Sequence, residues 1–593
     1  MKQFQKIGVA AAVASVAAGA VAQQVSRTET GDLAIVPYYT VKDGVNTGLH
    51  IINTTDSTQV VKVRLRRGTD SKDALDFNVV MSPRDEWTAN IGAGGDTGVH
   101  VTTNDTTCTV PAFTDGVAQM PGTFSEGAEE GYVEIIAMAQ ADDAQGISIS
   151  AKHVDGVPRD CDNVRQHFYR VPAASVGDSG VRGVHTSALA SDAGACTAGA
   201  ATTAVCATTA GAAITGAANL SEFTDSDDNA LKVSFMLTDP DGGLEAGDNA
   251  VMVEGFSSAP MLTNQQPLSF GTDGLLNYDP LNFELPNLAY GAYESNITAT
   301  SSQIRNTQMD ASLRDGSMWS SLADALDADS IMNDWAAFDT ADASVNADWV
   351  VTLPGQYVMT NPICDIYTTY GQANATAAAA CAATSSTAAS GTALADAAQA
   401  YSAAGGADRN QLPLLVASNV DGVALIGDGT TSNFALWDRE EDSLLGEETD
   451  SEDPDPELGF SPGGSVGDPA DPDITVILPN EVNVIDFGEP DAPSALVSDL
   501  KLTVTPTGAD RGWARLDIQP VNTAPERWSI GGIQDDANIV VAGPEAGTFT
   551  AVADATDVPV VGFAVWQRSF AAQAGNYGRM VEHSTITSTS TTR

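Results

Sequence analysis

A chain of 593 residues, 43% of them apolar, is long enough for several cores and too apolar for a disordered acidic tail. Its 78 acidic residues against 27 basic ones give a formal net charge of −51, a surface that repels the phosphates of nucleic acids and of anionic lipids and so excludes both as principal partners. The same carboxylate excess suits an exterior bathed in salt or divalent cations, although a marine or halophilic habitat alone would account for it equally.

In chain order, Lys2 and Lys6 precede an apolar run over 7–20 that closes on Ala20-Val21-Ala22. This is the form of a cleavable secretory signal peptide at residues 1–22, with Gln23 as first mature residue. The run is too short to span a bilayer and no later segment is apolar enough, so membrane insertion is not expected. From Asp32 the pattern has period two. Val61-Lys62-Val63-Arg64-Leu65-Arg66 alternates strictly, and Leu75, Phe77 and Val79 alternate with Asp76 and Asn78, which predicts half-buried strands. Further strands over 131–139 and 147–153 complete an N-terminal β-sandwich domain at residues 23–186.

Residues 187–225 collapse to Ala, Thr and Gly and are expected to be an insertion. A central β-rich domain is expected over 226–437, with strands at 232–238, 250–256 and 348–353 and a second Ala-rich insertion at 372–408. Within it, Trp319, Leu322, Ala323 and Leu326 share one face of a helix predicted over 318–337. Residues 438–473 read as an acidic Gly/Pro-rich linker, eleven acids and one Arg falling between 438 and 457. Alternation returns at Leu500, Leu502 and Val504 and at Ala514, Leu516 and Ile518, predicting a C-terminal β-sandwich domain at 474–593. The fold class expected is mainly β and multidomain, with Ig-like or β-sandwich domains, long Ala/Thr-rich disulfide-stapled loops and a short helical segment.

Cys108, Cys161, Cys196, Cys206, Cys364 and Cys381 all follow the signal peptide, and an even count in an exported chain predicts disulfides. Their grouping favours 108 with 161, 196 with 206, and 364 with 381. None lies in a CxxC, which argues against a redox or zinc site. No catalytic residue is assigned. Gly177-Asp178-Ser179-Gly180 matches the nucleophile segment of trypsin-like proteases, but Val181 replaces the following Gly and no Ala-His-Cys precedes it, so it reads as a turn. Asp225, Asp227, Asp239, Asp241, Glu245 and Asp248 supply hard oxygen ligands around Gly242-Gly243 and are the candidates for structural Ca²⁺. They do not form an EF-hand, because Ala230 stands where that loop needs Gly. Lys62, Arg64, Arg66 and Arg67 concentrate four cations in one strand. They either pair across the sheet with acids such as Asp73 and Asp76, or dock onto lipopolysaccharide phosphates or the acidic face of a neighbouring subunit.

Gly31-Asp32-Leu33-Ala34-Ile35-Val36-Pro37-Tyr38-Tyr39, Ile51-Ile52-Asn53-Thr54-Thr55, the basic strand, Leu75-Asp76-Phe77-Asn78, Ser82-Pro83 and Glu86-Trp87-Thr88-Ala89 are together similar to secreted surface proteins of marine Gammaproteobacteria. Asp348-Trp349-Val350-Val351-Thr352-Leu353-Pro354 and Asn576-Tyr577-Gly578 resemble later signatures of the same group. One branch of that group forms surface layers (S-layers). The resemblance implies a structural, non-enzymatic S-layer subunit on the outer face of a Gram-negative outer membrane. Such a subunit would self-assemble with other copies into a two-dimensional lattice with help from calcium, and lipopolysaccharide would be a further partner. The alternative expectation is a secreted carbohydrate-binding protein or glycoside-active hydrolase that uses exposed aromatic residues and a carboxylate pair.

Overall fold

The structure is a computed structural model and describes residues 23–69, 71, 73–94, 98–119, 127–166, 223–239, 244–257, 260–261, 286, 288, 317–355, 423–426, 434–440, 460–461, 475–478, 480–488, 494–504, 506, 509–520, 527–528, 551–552, 559–570 and 577–586. It is mainly β, with several antiparallel sheets.

The first group of strands is β1 (Leu33–Thr40), β2 (Asn46–Asn53), β3 (Thr58–Arg67), β4 (Asp73–Met81), β5 (Glu86–Ala93), β6 (Val99–Thr102), β7 (Cys108–Val110), β8 (Val117–Gln119) and β9 (Glu130–Ala141). β-Branched and aromatic residues suit them to a pleated surface, and β1, β3 and β9 are buried on both faces. They are joined by β10 (Leu231–Asp239), β11 (Leu244–Asn249) and β12 (Val251–Glu254). An eight-stranded sheet runs β12-β1-β9-β3-β4-β7, with Gln24–Val25 and Phe223–Thr224 at its margins, and a six-stranded sheet runs β11-β10-β2-β5-β6-β8. Val63 and Ile135 of the first sheet and Ile51, Trp87 and Val233 of the second lie in one core. The strand pairing therefore divides the chain differently from the expected boundary near residue 226. β10 pairs with β2 from Leu231↔Asn53 to Thr238↔Asn46, a contact across nearly two hundred residues that local alternation does not reveal.

The second group is β13 (Ser330–Asp339), β14 (Ala343–Thr352), β15 (Phe434–Asp438), β16 (Val482–Phe487), β17 (Lys501–Val504), β18 (Arg511–Asp517), β19 (Val561–Phe570), β20 (Tyr577–Glu582) and β21 (Ser584–Ile586). They belong to a ten-stranded sheet with the path β15-β18-β13-β14-β16-β17 and Phe460–Ser461 beyond β17, while β19 pairs with β14 and β20, and β21 pairs with β13. β16 and β17 are parallel. A second core gathers Trp335, Trp349, Phe487 and Leu516. Strands at 330–352 thus sit in the middle of a sheet built with the C-terminal strands, where a separate central domain had been expected.

Two local expectations are corrected. The predicted helix is only α3 (Ser317–Leu326), and residues 330–337 are strand. Ile331 and Trp335 are four residues apart, which fits a helix face as well as a bent strand, and pairing with β18 from Ser330↔Asp517 to Ala336↔Arg511 decides for the strand. The expected strand at 147–153 is instead α1 (Gly146–Ala151), which packs against α2 (Cys161–Gln166). Ser148 Oγ donates to Ala141 O at 3.1 Å, and Asn163 Nδ2 donates to Ser150 Oγ at 2.8 Å, so the serines of the alternating Ile-Ser run tie the helix down.

The two groups meet in a seam. Val350, Val482, Leu500 and Phe563 of the second lie in the core of the first, and the rings of Phe235 and Phe563 are 5.7 Å apart. Val482 N–H donates to Gly68 O at 2.8 Å and Thr352 Oγ donates to Pro37 O at 2.6 Å. A Cβ at Gly68 would lie 2.5 Å from Leu500 Cδ1 and 3.3 Å from Glu130 O and Val482 Cβ, so a larger residue there would have to push the Leu500 side chain aside. Among the described residues no helix is long and apolar enough to cross a membrane.

Candidate functional site

Lys62, Arg64 and Arg66 were expected to face solvent from a half-buried strand, and the structure corrects this. β3 is buried on both faces: Val61, Val63 and Leu65 face the shared core, and the other face is covered by chain from elsewhere, including Pro286, whose carbonyl accepts from Arg64 Nη1 at 2.7 Å. Glu134, Arg64 and Asp76 stand directly opposite one another on β9, β3 and β4. Lys62 Nζ lies 2.7 Å and Arg64 Nη2 3.4 Å from Asp76 Oδ2. Arg66 grips Glu134 with Nε at 3.1 Å and Nη2 at 3.3 Å, and donates to Ser71 O at 3.1 Å. Tyr132 Oη completes the network, 3.2 Å from Glu134 and 2.9 Å from Ser71 Oγ. Side chains that are 0% exposed do not dock onto a membrane surface. Cross-strand pairing is what they do, and it is a buried rather than a surface pairing. Arg67, at the end of β3, is half-buried.

The calcium candidates do not converge. Asp225 and Asp227 precede β10, whereas Asp239 and Glu245 lie at its far end, where β10 turns back into β11; at roughly 3.3 Å per residue the length of β10 separates them. Asp248 lies back along β11, opposite Phe235. Asp241 is outside the described residues. Burial, then the nearby Asp228 and Asp227, pushes the Asp225 carboxyl up to about 7. Among the described residues no three His, Cys, Asp or Glu side chains are grouped to hold a metal.

Cys108 and Cys161 form a disulfide between β7 and α2. Cys196, Cys206, Cys364 and Cys381 lie outside the described residues, as do the Gly177-Asp178-Ser179-Gly180 motif and residues 1–22.

Sequence reasoning missed a recurring device: a buried carboxylate that accepts a backbone N–H from a distant segment. Asp32 accepts from Phe256 N at 3.0 Å and Ser257 N at 3.1 Å, and burial pushes its carboxyl up to about 8. Glu130 accepts from Asp499 N at 2.8 Å, Ser498 Oγ at 2.6 Å and Tyr38 Oη at 3.0 Å, with Lys42 Nζ at 3.7 Å. Asp348 Oδ2 accepts from Leu496 N at 2.7 Å and lies 2.7 Å from Ser494 Oγ. Glu130 belongs to the first group of strands and Asp348 to the second, so residues 494–500 are strapped down by one carboxylate from each side of the seam.

Asp348 faces Asp486 directly across β14 and β16. Burial first and the Asp486 charge second push the Asp348 carboxyl up to about 7. Lys501 Nζ sits 3.6 Å from Asp486 and donates to Ser494 Oγ at 2.8 Å. A Ser beside a Lys and an Asp suggests nucleophile chemistry, but Ser494 Oγ accepts from the lysine and contacts the carboxylate that holds the strap. The arrangement clamps. His583 is used in the same way: its Nε2 is 3.0 Å from Val350 O, its Nδ1 is 3.0 Å from Asn333 Nδ2, and burial depresses it to about 4, so the ring is neutral. The sequence signal for the carboxylates was an acid inside an apolar run, as in Gly131-Tyr132-Val133-Glu134-Ile135-Ile136 and Asp348-Trp349-Val350-Val351.

A stacked aromatic pair reaches solvent at Trp513. Trp437 on β15 and Trp513 on β18 stand opposite each other, ring centroids 4.0 Å apart and planes 13° from parallel. Comparison with protein-family models, with curated proteins and with solved structures finds no match for the chain.

Proposed function

We propose that this chain is a structural subunit of a surface layer, exported and assembled with copies of itself on the outer face of the outer membrane. In this reading its sheets form β-sandwich domains, Ig-like in kind, and calcium bridges acidic faces of neighbouring copies. The observation that carries the proposal is where the ionisable groups go. Lys62, Arg64, Arg66, Asp76 and Glu134 lock three strands together, while Glu130 and Asp348 strap the two strand groups to each other. Groups that could do chemistry are spent on cohesion, which suits a subunit that bears load. A formal charge of −51 supports the role of divalent ions, because packing such copies side by side requires local neutralisation, and a site shared between copies is incomplete in one chain.

Electron microscopy of isolated envelopes tests the reading, with an ordered array that disperses into folded subunits on chelation as the expected result. A smooth envelope in a preparation rich in this protein would refute it. The second reading, a carbohydrate-binding protein, is favoured by the stacked indoles of half-buried Trp437 and exposed Trp513, and a glycan-binding screen with W513A as control discriminates the two.

A further inference from the structure

We propose that the open face of the six-stranded sheet is a docking surface for the same face of a second copy of this chain. The inference rests on the self-assembling reading above and gives that assembly one of its contacts. β2, β10 and β11 alternate buried residues with exposed or half-buried ones, so this sheet turns one side to the core and the other outward. The register lines up one row straight across the outward side, from Gly247 through Met236, Gly48, Asn90 and Thr102 to Val117. Thr238, Asn46, Gly92 and His100 form the row on one side of it, with Asn90 Nδ2 donating to Asn46 Oδ1 at 3.4 Å. Asn249, Ser234, His50 and Thr88 form the row on the other. Charge is confined to the margins: Glu245 ends the first of these flanking rows on β11, and Lys232 and Glu86 stand on either side of Ile52 in the outermost row.

Copies that each carry a formal charge of −51 repel one another, so they approach most readily where the surface bears no charge. The amides, hydroxyls and imidazoles that stand here instead both donate and accept hydrogen bonds, which makes the face its own complement. Its shape is self-complementary as well. Met236 is 41% exposed and stands directly between Gly247 and Gly48, where the backbone is bare. A Cβ at Gly48 would meet nothing nearer than Met236 O at 3.8 Å, so the space over Gly48 is open. A two-fold axis running between β10 and β2 sets each Met236 into the other copy's Gly48 space, and the flexible thioether adapts to such a gap. That contact uses one patch twice and closes into a symmetric pair. At about 3.4 Å per residue and about 4.8 Å between strands the six strands present roughly 600 Å², and two such faces together bury about 1,200 Å², the lower end for a specific interface. No Trp, Tyr or Phe stands in these rows to stack on a sugar ring, and a charged ligand finds no counter-charge in their centre.

The test is sedimentation velocity of the full mature chain over a concentration series, at low and at high salt, in chelator so that any calcium-bridged contact is absent. The wild-type chain is expected to dimerise, and to do so more tightly at high salt, because salt screens the repulsion between copies and leaves the neutral contact intact. Met236→Glu places a charge at the centre of the contact and is expected to weaken the dimer at least about tenfold with an unchanged melting temperature. If it lowers the melting temperature, Gly48→Gln, which fills the open space over Gly48, makes the same test. A wild-type chain that stays monomeric throughout, a dimer that high salt dissociates, or undiminished dimerisation of the variant would overturn the proposal. So would a monomeric chain that soluble dextran retards in affinity electrophoresis in a Met236-dependent manner, which would assign the face to a neutral glycan. Failure of the layer reading is separable. A smooth envelope alongside dimers that Met236→Glu abolishes would sink the layer and keep the face, whereas an ordered layer on cells expressing Met236→Glu would sink the face and keep the layer.

Discussion

Glu134 faces two guanidinium groups in a place without solvent, with Arg66 bound through two nitrogens and Arg64 at 3.7 Å. Removing its charge leaves buried cations under-compensated. Glu134→Gln is therefore expected to cost about 3–5 kcal/mol in urea unfolding. Arg84→Ala, which breaks the exposed pair with Asp56, is expected to leave the midpoint unchanged, because that pair sits in water and is screened. Asp348 gives a pH signature. Its folded carboxyl sits at about 7 against 3.8 in the unfolded chain, so the folded state holds a proton that the unfolded state has lost between those values. The stability contributed is complete below the unfolded value and is lost as pH rises through the folded one. Asp348→Asn keeps an acceptor for Leu496 N–H and cannot ionise beside Asp486. Its melting temperature is expected to match the wild type near about pH 4 and to exceed it increasingly up to about pH 8. A constant difference across that range would refute the assignment.

At the scale of elements, the disulfide and the two short helices act together. Cys108 lies on an edge strand and Cys161 begins α2, 53 residues later, with α1 packed between α2 and β3. Helices of six residues do not persist alone, so α1 and α2 depend on this staple and on the Asn163–Ser150 and Ser148–Ala141 hydrogen bonds. Cys161→Ser is expected to cost about 2–4 kcal/mol, and hydrogen exchange should show protection lost in 146–151 and 161–166 before the central strands. Alternation marked β3, β4, β17 and β18 correctly as strands, because each has one apolar face toward a core. It could not mark α1, where four alternating residues fit either structure, nor the start of β13, where a four-residue spacing fits both.

For the whole molecule, the seam decides whether the two cores unfold together. Leu500 lies in the core of the first strand group while its segment is held by Asp348 of the second. Glu130→Ala withdraws an acceptor from Tyr38, Ser498 and the Asp499 amide at once. Calorimetry of the wild-type chain is expected to show one cooperative transition for the described cores, and the variant two, as the coupling through 494–500 is released. Two transitions in the wild type would show that the cores are independent and the strap is incidental.

The sequence by itself determined the β class, the positions of several strands and the anionic character of the exterior, since these follow from alternation and from a count of charges. Only the tertiary structure decided which strands share a sheet, because β10 with β2 and β13 with β18 pair across long separations that no local pattern encodes. It also decided the fate of the basic strand. Alternation says that Lys62, Arg64 and Arg66 share a face, but whether that face meets water depends on what packs over it, and here chain from beyond residue 260 does. The carboxylate clamps belong to the same class, since Asp32, Glu130 and Asp348 find their amide partners 224, 369 and 148 residues away. A buried charge is legible as an anomaly in an apolar run, and its partner is fixed only when the chain folds back on itself.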